Sequence, residues 1–238
     1  MTAAAATMSI GERARLWGVA VRAYSFPAHI VPIVLGSAYA WYANTDPAWR
    51  FNWITFILTL LAGGLFHVAV NLINDYYDFL KGVDRPGTFG GSGVLVAGTM
   101  TPKQIINGAY LCLAIGTLIG VYFVYSLATF SGGPYKLGWP ILLVGIIGII
   151  GTLWYTSSRG SAKYNALGNP LVFLMFGPGY VLGTYIIQAE PQSFPWPALL
   201  ISIPIGFLVA AILQANDVRD IVDDRQAGIK TIATVLGP

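Results

Sequence analysis

Six long segments of this sequence contain no Asp, Glu, Lys or Arg, and they constrain the fold more than any other feature. They are residues 23–45, 51–74, 104–135, 137–158, 164–189 and 191–216. Each reaches the roughly 20 residues that cross a bilayer as an α-helix. Backbone amides in hydrocarbon must find partners within the protein, which leaves helices or closed barrels, and apolar runs without strict alternation exclude the barrel. The sequence predicts an all-α, polytopic membrane bundle of six transmembrane helices.

The composition indicates one membrane-embedded domain over residues 1–238. The chain has only 13 Lys and Arg and 10 Asp and Glu, whereas about a quarter of the residues of a soluble protein are charged. A soluble fold with six buried helices would need amphipathic helices around them, and none is visible. The first apolar segment begins too far along the chain, and has too many polar and proline residues, to be a cleaved signal peptide.

The basic residues are divided unequally between the two sides of the predicted bundle. Only Arg50 and Lys136 fall on one side, while the other side carries Arg13, Arg15, Lys81, Arg85, Lys103, Arg159, Lys163, Arg219, Arg225 and Lys230. Cytoplasmic loops of membrane proteins carry an excess of Lys and Arg. Both termini are therefore predicted to be cytoplasmic, in a cell (inner) membrane. The net charge of +3 is explained by this distribution, and no nucleic-acid partner is expected.

A first cluster of acidic residues lies on the same side, after the second span. Asn71, Asp75 and Asp78 are spaced by four and three residues, so a helix presents all three on one face at the mouth of an apolar segment. Asp84 follows them closely. The bias of basic residues towards the cytoplasm does not account for carboxylates at this position, so they need another cause.

A second acidic cluster follows the sixth span, where Asp220 and Asp224 lie one helical turn apart. Carboxylates at such spacings repel each other, so two clusters at a membrane boundary call for a counter-ion. Mg²⁺ is held by one or two carboxylates together with water and phosphate oxygens, which suits a phosphorylated substrate between the clusters. Solvated helix ends paired with local cations are the alternative. The predicted magnesium-binding and catalytic residues are Asn71, Asp75, Asp78, Asp220 and Asp224.

Basic residues and glycines surround the two clusters. The glycine-rich loop after Asp84 lets backbone N–H groups approach an anion. The residues predicted to bind substrate are Arg22, Lys81, Arg85, Lys103, Tyr155, Arg159 and Lys163. Arg159 and Lys163 could equally anchor the protein at the membrane interface, and Arg22 could extend to the lipid headgroups.

His67 and several aromatic residues lie near the first cluster in the sequence. His67 comes one turn before Asn71, and with no second His or Cys nearby in sequence it is expected to be a hydrogen-bonded interior residue. Ring faces can stabilise a cation. The aromatic residues that could shield a carbocation in this way, with packing as the alternative role, are Phe66, Tyr76, Tyr77, Tyr155 and Phe176.

At these residues the sequence resembles the UbiA superfamily of intramembrane aromatic prenyltransferases. The first motif of that superfamily, NxxxDxxD, matches Asn71, Asp75 and Asp78. The second motif, DxxxD followed by a Gly-to-Thr tail, matches Asp220, Asp224 and residues 228–231. The similarity extends over nearly the whole chain.

Within the superfamily, several stretches are most similar to 1,4-dihydroxy-2-naphthoate polyprenyltransferases of menaquinone biosynthesis. These stretches are residues 22–29, 74–84, 90–95 and 101–104. Asn169 departs from the acidic residue expected after Leu-Gly in that branch, which leaves the acceptor open. Family members usually have about nine helices, so the resemblance also implies a chain that is C-terminally short by about three spans.

The resemblance implies a UbiA-like helical cavity that opens to lipid and admits a polyprenyl diphosphate. Mg²⁺ ions at the two motifs would bind the diphosphate and stabilise the charge that develops as it leaves. The resulting allylic cation would alkylate an electron-rich aromatic acceptor, and a naphthoate would lose its carboxylate in the process.

Other functions stay open at the level of sequence. The acceptor could be 4-hydroxybenzoate, homogentisate, a chlorophyllide or a glycerol-phosphate ether. A transporter or channel would place carboxylates near the midplane and show an inverted repeat, whereas these acids follow spans two and six at one face. A noncatalytic membrane protein could bind a lipid or a diphosphate without turning it over.

Overall fold

The structure is a computed structural model that describes residues 8–130, 138–157, 160–191 and 193–238. These residues form helices and connecting turns, and the β-type contact among them is an isolated bridge between Asn165 and Lys230. The predicted all-α class is therefore confirmed. The end of the third predicted span and Arg159 lie outside the described residues.

Ten α-helices follow one another along the described chain. They are α1 (Ile10–Ala20), α2 (Pro27–Ala43), α3 (Trp53–Leu80), α4 (Pro102–Phe130), α5 (Trp139–Trp154), α6 (Gly168–Leu174), α7 (Tyr180–Ala189), α8 (Trp196–Arg219), α9 (Ile221–Gln226) and α10 (Ile232–Leu236). A 3₁₀ turn, Ala23–Ser25, separates α1 from α2, and a π-helical turn, Met175–Gly179, joins α6 to α7.

The chain bends by 50° between α1 and the segment that begins with the 3₁₀ turn. Ser9 caps α1, because its hydroxyl accepts from the Glu12 amide while the Glu12 carboxylate accepts from the Ser9 amide. After α1 ends, Arg22 adopts the left-handed backbone conformation, with φ 55° and ψ 53°. Steric contact of Cβ disfavours this region for residues other than glycine. The bend is thus built around a strained arginine.

The central helix α3 carries the first acidic motif in its last turns. It has 28 residues, about 42 Å at 1.5 Å per residue, and Asn52 caps its start by accepting from a backbone amide. Its C-terminal half packs on α4 through a buried apolar cluster that includes Leu72, Ile73, Ile105 and Ala109. This cluster lies behind the motif and fixes the position of its carboxylates.

The π-helical turn lets the chain from α6 to α7 continue past Pro178, which has no N–H to donate. Beside it, Gly177 lies so close to α8 that a Cβ on it would come 2.7 Å from the Cα of Gly206. Small residues allow this close approach of backbones between membrane helices. The α6–α7 segment and α8 therefore form one closely packed wall.

In the part of the chain that the structure describes, four segments are long and apolar enough to span a membrane: Trp53–Leu80, Pro102–Thr129, Gly168–Ala189 and Trp196–Arg219. The bent pair that contains α1 and α2 is a fifth if it is counted as one span. Helix α5 has 16 residues, about 24 Å, which is less than the ~30 Å hydrocarbon core. Each of the six predicted segments contains a helix among the described residues. That all six cross the membrane completely stays a prediction.

Large apolar side chains cover the outside of these helices. Leu118 on α4, Ile150 on α5 and Leu200 on α8 are exposed by 69%, 59% and 63%. A soluble protein rarely leaves such contiguous apolar surface in water. The outer surface of the bundle suits contact with lipid.

Candidate active site

A cavity of about 410 Å³ lies between helices α2 to α8. On α3 its lining extends from Thr59 to Asn74, which is about 22 Å along the helix axis. Apolar side chains such as Val144 form most of the wall. The charged and amide side chains of the lining lie at one end together with a tyrosine, namely Arg22, Asn71, Asn74, Asn216 and Tyr155. This shape suits an elongated apolar ligand with a polar head.

Asp75 of the first motif is buried beside this polar end, with 2% of its surface exposed. Its Oδ1 accepts a hydrogen bond from Nη2 of Arg22. Its Oδ2 accepts from the backbone amide of Ser92, at 2.9 Å, and from the Ser92 hydroxyl. Ser92 belongs to the glycine-rich loop, so the anion that this loop meets in the structure is Asp75 itself.

Asp78 is fully buried and binds three partners. Its Oδ2 accepts from Lys163 and Asn74, and its Oδ1 accepts from the Tyr164 hydroxyl. Burial is the largest single influence on the pKa of Lys163 and lowers it, but the charge and hydrogen bond of Asp78 together with other nearby groups outweigh burial, so the net shift of that pKa is upward. Lys163 is therefore charged and compensates Asp78 in the way that Arg22 compensates Asp75.

Asp84 is a third carboxylate at this end, and its position in the sequence, close after the motif, did not assign it to the site. Burial and the nearby charge of Asp78 raise the pKa of Asp84 to about 7. Two glycines make room for it: a Cβ on Gly90 would lie 2.7 Å from Oδ1 of Asp84, and one on Gly91 would clash with Oδ2 of Asp84 and lie 3.1 Å from its Cγ. The signal in the sequence was a carboxylate immediately before a glycine-rich loop.

The second motif is not on one continuous helix. Helix α8 ends at Arg219, and Asp220 at the junction with α9 pairs with the Arg219 side chain at 2.6 Å. The amide of Asp224 still donates to the carbonyl of Asp220, at 2.9 Å, so the one-turn spacing is kept. Asp217 and Asp224 are buried, whereas Asp220 is half-exposed. The structure thus adds Asp217 to the acidic residues of this motif.

The two motifs meet at the same end of the bundle, as their positions in the sequence predicted. Nη2 of Arg85 donates to Asp223 at 3.3 Å and to Gln226 at 2.8 Å, which ties the loop after α3 to α9. Burial raises the pKa of Asp224 to about 6, and the charge of Lys163 acts in the opposite direction. Lys163 therefore lies within electrostatic reach of both motifs.

Lys81 and Tyr155 lie close to the first motif. Nζ of Lys81 donates to the backbone carbonyl of Thr156 at 2.6 Å and lies 4.1 Å from the centre of the Tyr164 ring. Tyr155 lines the cavity, so its hydroxyl is a hydrogen-bonding group for a ligand there.

The other predicted residues differ in how they relate to the cavity. Asn71 lines it, and its amide nitrogen donates to the carbonyl of Val21 at 3.2 Å. Lys103 is exposed near the start of α4, so the structure does not bring it to the polar end. Arg159 lies outside the described residues.

The donor set fits Mg²⁺ only together with a ligand. Among the described residues, no three His, Cys, Asp or Glu side chains converge closely enough to hold a metal ion by themselves. Mg²⁺ needs only one or two carboxylates when phosphate oxygens complete its shell. Asp75 with Asp84, and Asp217 with Asp224, offer such carboxylates at the two motifs. The residues present therefore fit Mg²⁺, while Asn71, Asp78 and Asp220 stay predictions as its ligands.

The polar end also has a donor for an anion. Nε of Arg22 is buried and has no hydrogen-bond partner among the described residues, although Nη2 of the same guanidinium binds Asp75. A buried polar group without a partner is costly. Because Arg22 lines the cavity, an anionic ligand there would satisfy it.

The aromatic residues divide into two groups. Phe66, Tyr155 and Phe176 line the cavity. Tyr76 and Tyr77 instead pack against the buried cluster between α3 and α4. The role of shielding a cation therefore stays a prediction for the first group, while the second group has a packing role.

Residues 29–238 match the model of the UbiA prenyltransferase family. The chain belongs to that family, and the resemblance carried by the two motifs is confirmed.

Several relatives are identical to this chain at about a third of the aligned residues. The chain is 31% identical to a Bacillus subtilis protein named 1,4-dihydroxy-2-naphthoate octaprenyltransferase, over 93% of this chain and 66% of the relative. It is 31% identical to the Escherichia coli protein of that name, over 95% and 70% of the two chains. It is 32% identical to human UbiA prenyltransferase domain-containing protein 1, over 92% and 60%. The chain thus spans between 60% and 70% of the length of these three relatives.

Two structures of a UbiA homolog from Archaeoglobus fulgidus have the same fold. The one bound to DMAPP and Mg²⁺ has a TM-score of 0.64 and covers 93% of this chain and 69% of its own. The one bound to GPP and Mg²⁺ has a TM-score of 0.66 and covers 94% and 70%. Both are 17% identical to this chain. They confirm the UbiA-like helical fold.

Proposed function

We propose that the protein is an integral membrane prenyltransferase that transfers a polyprenyl group from a polyprenyl diphosphate to an aromatic acceptor, 1,4-dihydroxy-2-naphthoate, with Mg²⁺. One observation carries the proposal. A long apolar cavity ends at Arg22, whose Nε has no hydrogen-bond partner within the described part of the chain, beside two acidic motifs that lie within electrostatic reach of Lys163. The polar end of the cavity suits an anionic group such as a diphosphate, and the apolar wall suits a hydrocarbon chain.

The cavity binds and orients the donor. The apolar wall removes the prenyl chain from water, and the partly buried position of Arg22 and Lys163 strengthens their attraction for the diphosphate. Each cation is engaged with a carboxylate of the first motif. Asp75 and Asp78 therefore hold the cations in place for the anion.

The reaction breaks the bond between the allylic carbon and the diphosphate oxygen and forms a carbon–carbon bond to the acceptor ring. When bound at Asp75, Asp84, Asp217 and Asp224, Mg²⁺ supplies Lewis-acid stabilisation of the departing diphosphate. Arg22 and Lys163 stabilise the same negative charge as it develops. Phe66 and Phe176, which line the cavity, stabilise the allylic cation and exclude water. A naphthoate acceptor releases its carboxyl group as CO₂ when the ring regains aromaticity.

The relatives support this proposal. Two of them are named 1,4-dihydroxy-2-naphthoate octaprenyltransferase, and the homologous structures hold prenyl diphosphates with Mg²⁺. We further propose a single domain over residues 1–238, embedded in the cell membrane with the polar end of the cavity towards the cytoplasm. The excess of basic residues on that side supports this orientation.

A specific observation supports a second candidate for the acceptor. Asn169 replaces the acidic residue expected in the naphthoate branch, and in the structure its amide donates to Gln214 while its Oδ1 is buried without a partner among the described residues. Another phenolic acceptor, such as 4-hydroxybenzoate or homogentisate, is therefore the second candidate for the same reaction.

The experiment is incubation of the purified protein in detergent with radiolabelled geranylgeranyl diphosphate, Mg²⁺ and each acceptor in turn. We expect a lipophilic product with 1,4-dihydroxy-2-naphthoate, and we expect that this product does not form when EDTA is present. The matched variants are Asp75→Asn, which should be inactive, and Asp46→Asn in an exposed loop, which should not differ from the wild type. Product with a different acceptor would replace the naphthoate assignment, and no product with any acceptor would contradict the enzyme function.

A further inference from the structure

The structure holds two histidines against each other at the cavity, whose lining includes His67 but not His29, and the proposed function does not use them. Nδ1 of His29 on α2 lies 2.9 Å from Nδ1 of His67 on α3, and both residues are buried, with 4% and 6% of their surfaces exposed. We propose that His67 is a positioning residue, which fixes Arg22 at the diphosphate end of the cavity through Ser25. His29 supports His67 in this role. The inference rests on the proposed function.

The hydrogen bonds around Ser25 have a defined direction. Its hydroxyl lies 2.8 Å from the carbonyl of Arg22 and 3.2 Å from Nε2 of His67. A carbonyl only accepts, so the single hydroxyl proton of Ser25 is donated to Arg22. Nε2 of His67 must then carry the proton that it donates to Ser25.

The protonation of the His29 ring follows from that of His67. Because His67 is protonated on Nε2, its Nδ1 is the acceptor in the contact with His29, and Nδ1 of His29 is the donor. The result is one directed chain of hydrogen bonds, from His29 through His67 and Ser25 to the backbone of Arg22. The amide of Asn71 also donates to the Ser25 hydroxyl, at 3.4 Å.

The chain ends on a residue that needs support. Arg22 has the left-handed conformation, which residues with a Cβ avoid. Its carbonyl accepts from the Ser25 hydroxyl and from the Ser25 amide, both at 2.8 Å, and its own amide donates to Val19 at 3.0 Å. Strained residues of this kind persist where the surroundings over-determine them, and they cluster at functional sites.

The strained conformation has a functional consequence for the side chain. It aims the guanidinium of Arg22 at Asp75 and leaves the buried Nε facing the cavity without a partner among the described residues. If Ser25 were released, the backbone of Arg22 could relax to a common conformation and move the guanidinium away from the anion. The histidine pair therefore acts on diphosphate binding from a distance.

Two other roles for the pair fit the geometry less well. A metal would need the facing nitrogens of both rings, which are already joined to each other, and the described residues provide no third ligand there. A proton acceptor would need a free nitrogen in the cavity. The remaining nitrogen, Nε2 of His29, faces Gly64, where a Cβ would lie 3.2 Å from it, and His29 is not among the residues that line the cavity.

The test measures binding of inorganic pyrophosphate in the presence of Mg²⁺ to the purified protein by isothermal titration calorimetry. His67→Phe keeps a ring against Phe176 but removes both hydrogen bonds, and we expect it to weaken binding about ten-fold, the loss of one hydrogen bond to a charged group. His67→Gln keeps one acceptor and one donor, so it should bind within about three-fold of the wild type. Equal losses in the two variants would overturn the proposal.

A double-mutant comparison separates positioning from general structural damage. If His67 acts through Arg22, then His67→Phe combined with Arg22→Ala should bind no more weakly than Arg22→Ala alone. Losses that multiply would overturn the proposal. Should His67→Phe fail to fold, Ser25→Ala interrupts the same chain in a half-exposed turn and is expected to give the same ten-fold loss.

The outcomes distinguish this inference from the proposed function. If the wild-type protein does not bind pyrophosphate with Mg²⁺, or if Arg22→Ala does not weaken binding, the proposed diphosphate site fails and this inference fails with it. If Arg22→Ala weakens binding but neither His67→Phe nor Ser25→Ala does, the positioning role alone is overturned.

Discussion

Lys163 joins the loop after α5 to the first acidic motif, and its removal tests how the site is held together. The side chains of Lys163 and Asp78 are exposed by 19% and 1%. Removing one partner of a buried ion pair leaves an uncompensated charge and costs about 3–5 kcal/mol. Asp78 keeps its hydrogen bonds from Tyr164 and Asn74. We therefore expect Lys163→Met to lower the free energy of unfolding by about 3 kcal/mol, the lower end of this range.

A second substitution should recover part of that loss. Asp78→Asn removes the charge that Lys163 compensates, and an amide oxygen can still accept from Tyr164. Asp78→Asn alone leaves a lysine that reaches water, so we expect it to cost about 1–2 kcal/mol. The double variant should lie within about 1 kcal/mol of Asp78→Asn, because the two residues interact directly.

The assay is thermal unfolding in detergent with EDTA, followed by tryptophan fluorescence. For a chain of this size a loss of about 3 kcal/mol lowers Tm by roughly 6–12 °C. Lys103→Met is the matched control, since Lys103 is exposed and its loss should leave Tm unchanged. If Lys163→Met behaves like this control, or if the double variant shows the sum of the two single losses, the buried pair does not hold the site.

Three further results are expected. Asp75→Ala and Asp224→Ala should each abolish turnover while gel filtration in detergent shows a folded protein, and turnover in either variant would remove that residue from the metal site. Burial raises the pKa of Asp84 from 3.8 to about 7, so the folded state without metal binds a proton that the unfolded state has lost. Tm in EDTA should therefore fall as pH rises from about 4 to about 7, and Asp84→Asn should flatten this slope; an unchanged slope would contradict the raised pKa. Gly91→Ala places a methyl group against Asp84 at φ +67°, so the Mg²⁺ concentration needed for thermal protection should rise roughly ten-fold. Gly98→Ala, at φ +66° with open space around it, is the matched control for backbone strain, and an equal effect there would refute a specific contact.

The sequence predicted the helical class and the acidic side of the bundle because both follow from local chemistry. A bilayer requires long charge-free helices, and residues three or four apart share a helix face whatever surrounds them. Asp75 and Asp78 are accordingly one turn apart and buried together on α3. The same reasoning described the second motif less well, because the chain leaves α8 at Asp220 and restarts as α9. Helical spacing indicates which residues share a face only while the helix continues.

The choice of partners was decided by the tertiary structure. Arg22 pairs with Asp75 across 53 positions and Lys163 with Asp78 across 85, and His29 meets His67 across 38. Nothing in the local sequence relates the members of these pairs. His67 has no other histidine near it in the sequence, but the packing of α2 beside α3 brings His29 against it. The sequence determined where charge is absent and where carboxylates repeat, since these depend on residue type and local period. Which cation compensates which carboxylate depends on how the helices pack, because packing alone brings distant side chains within hydrogen-bond distance.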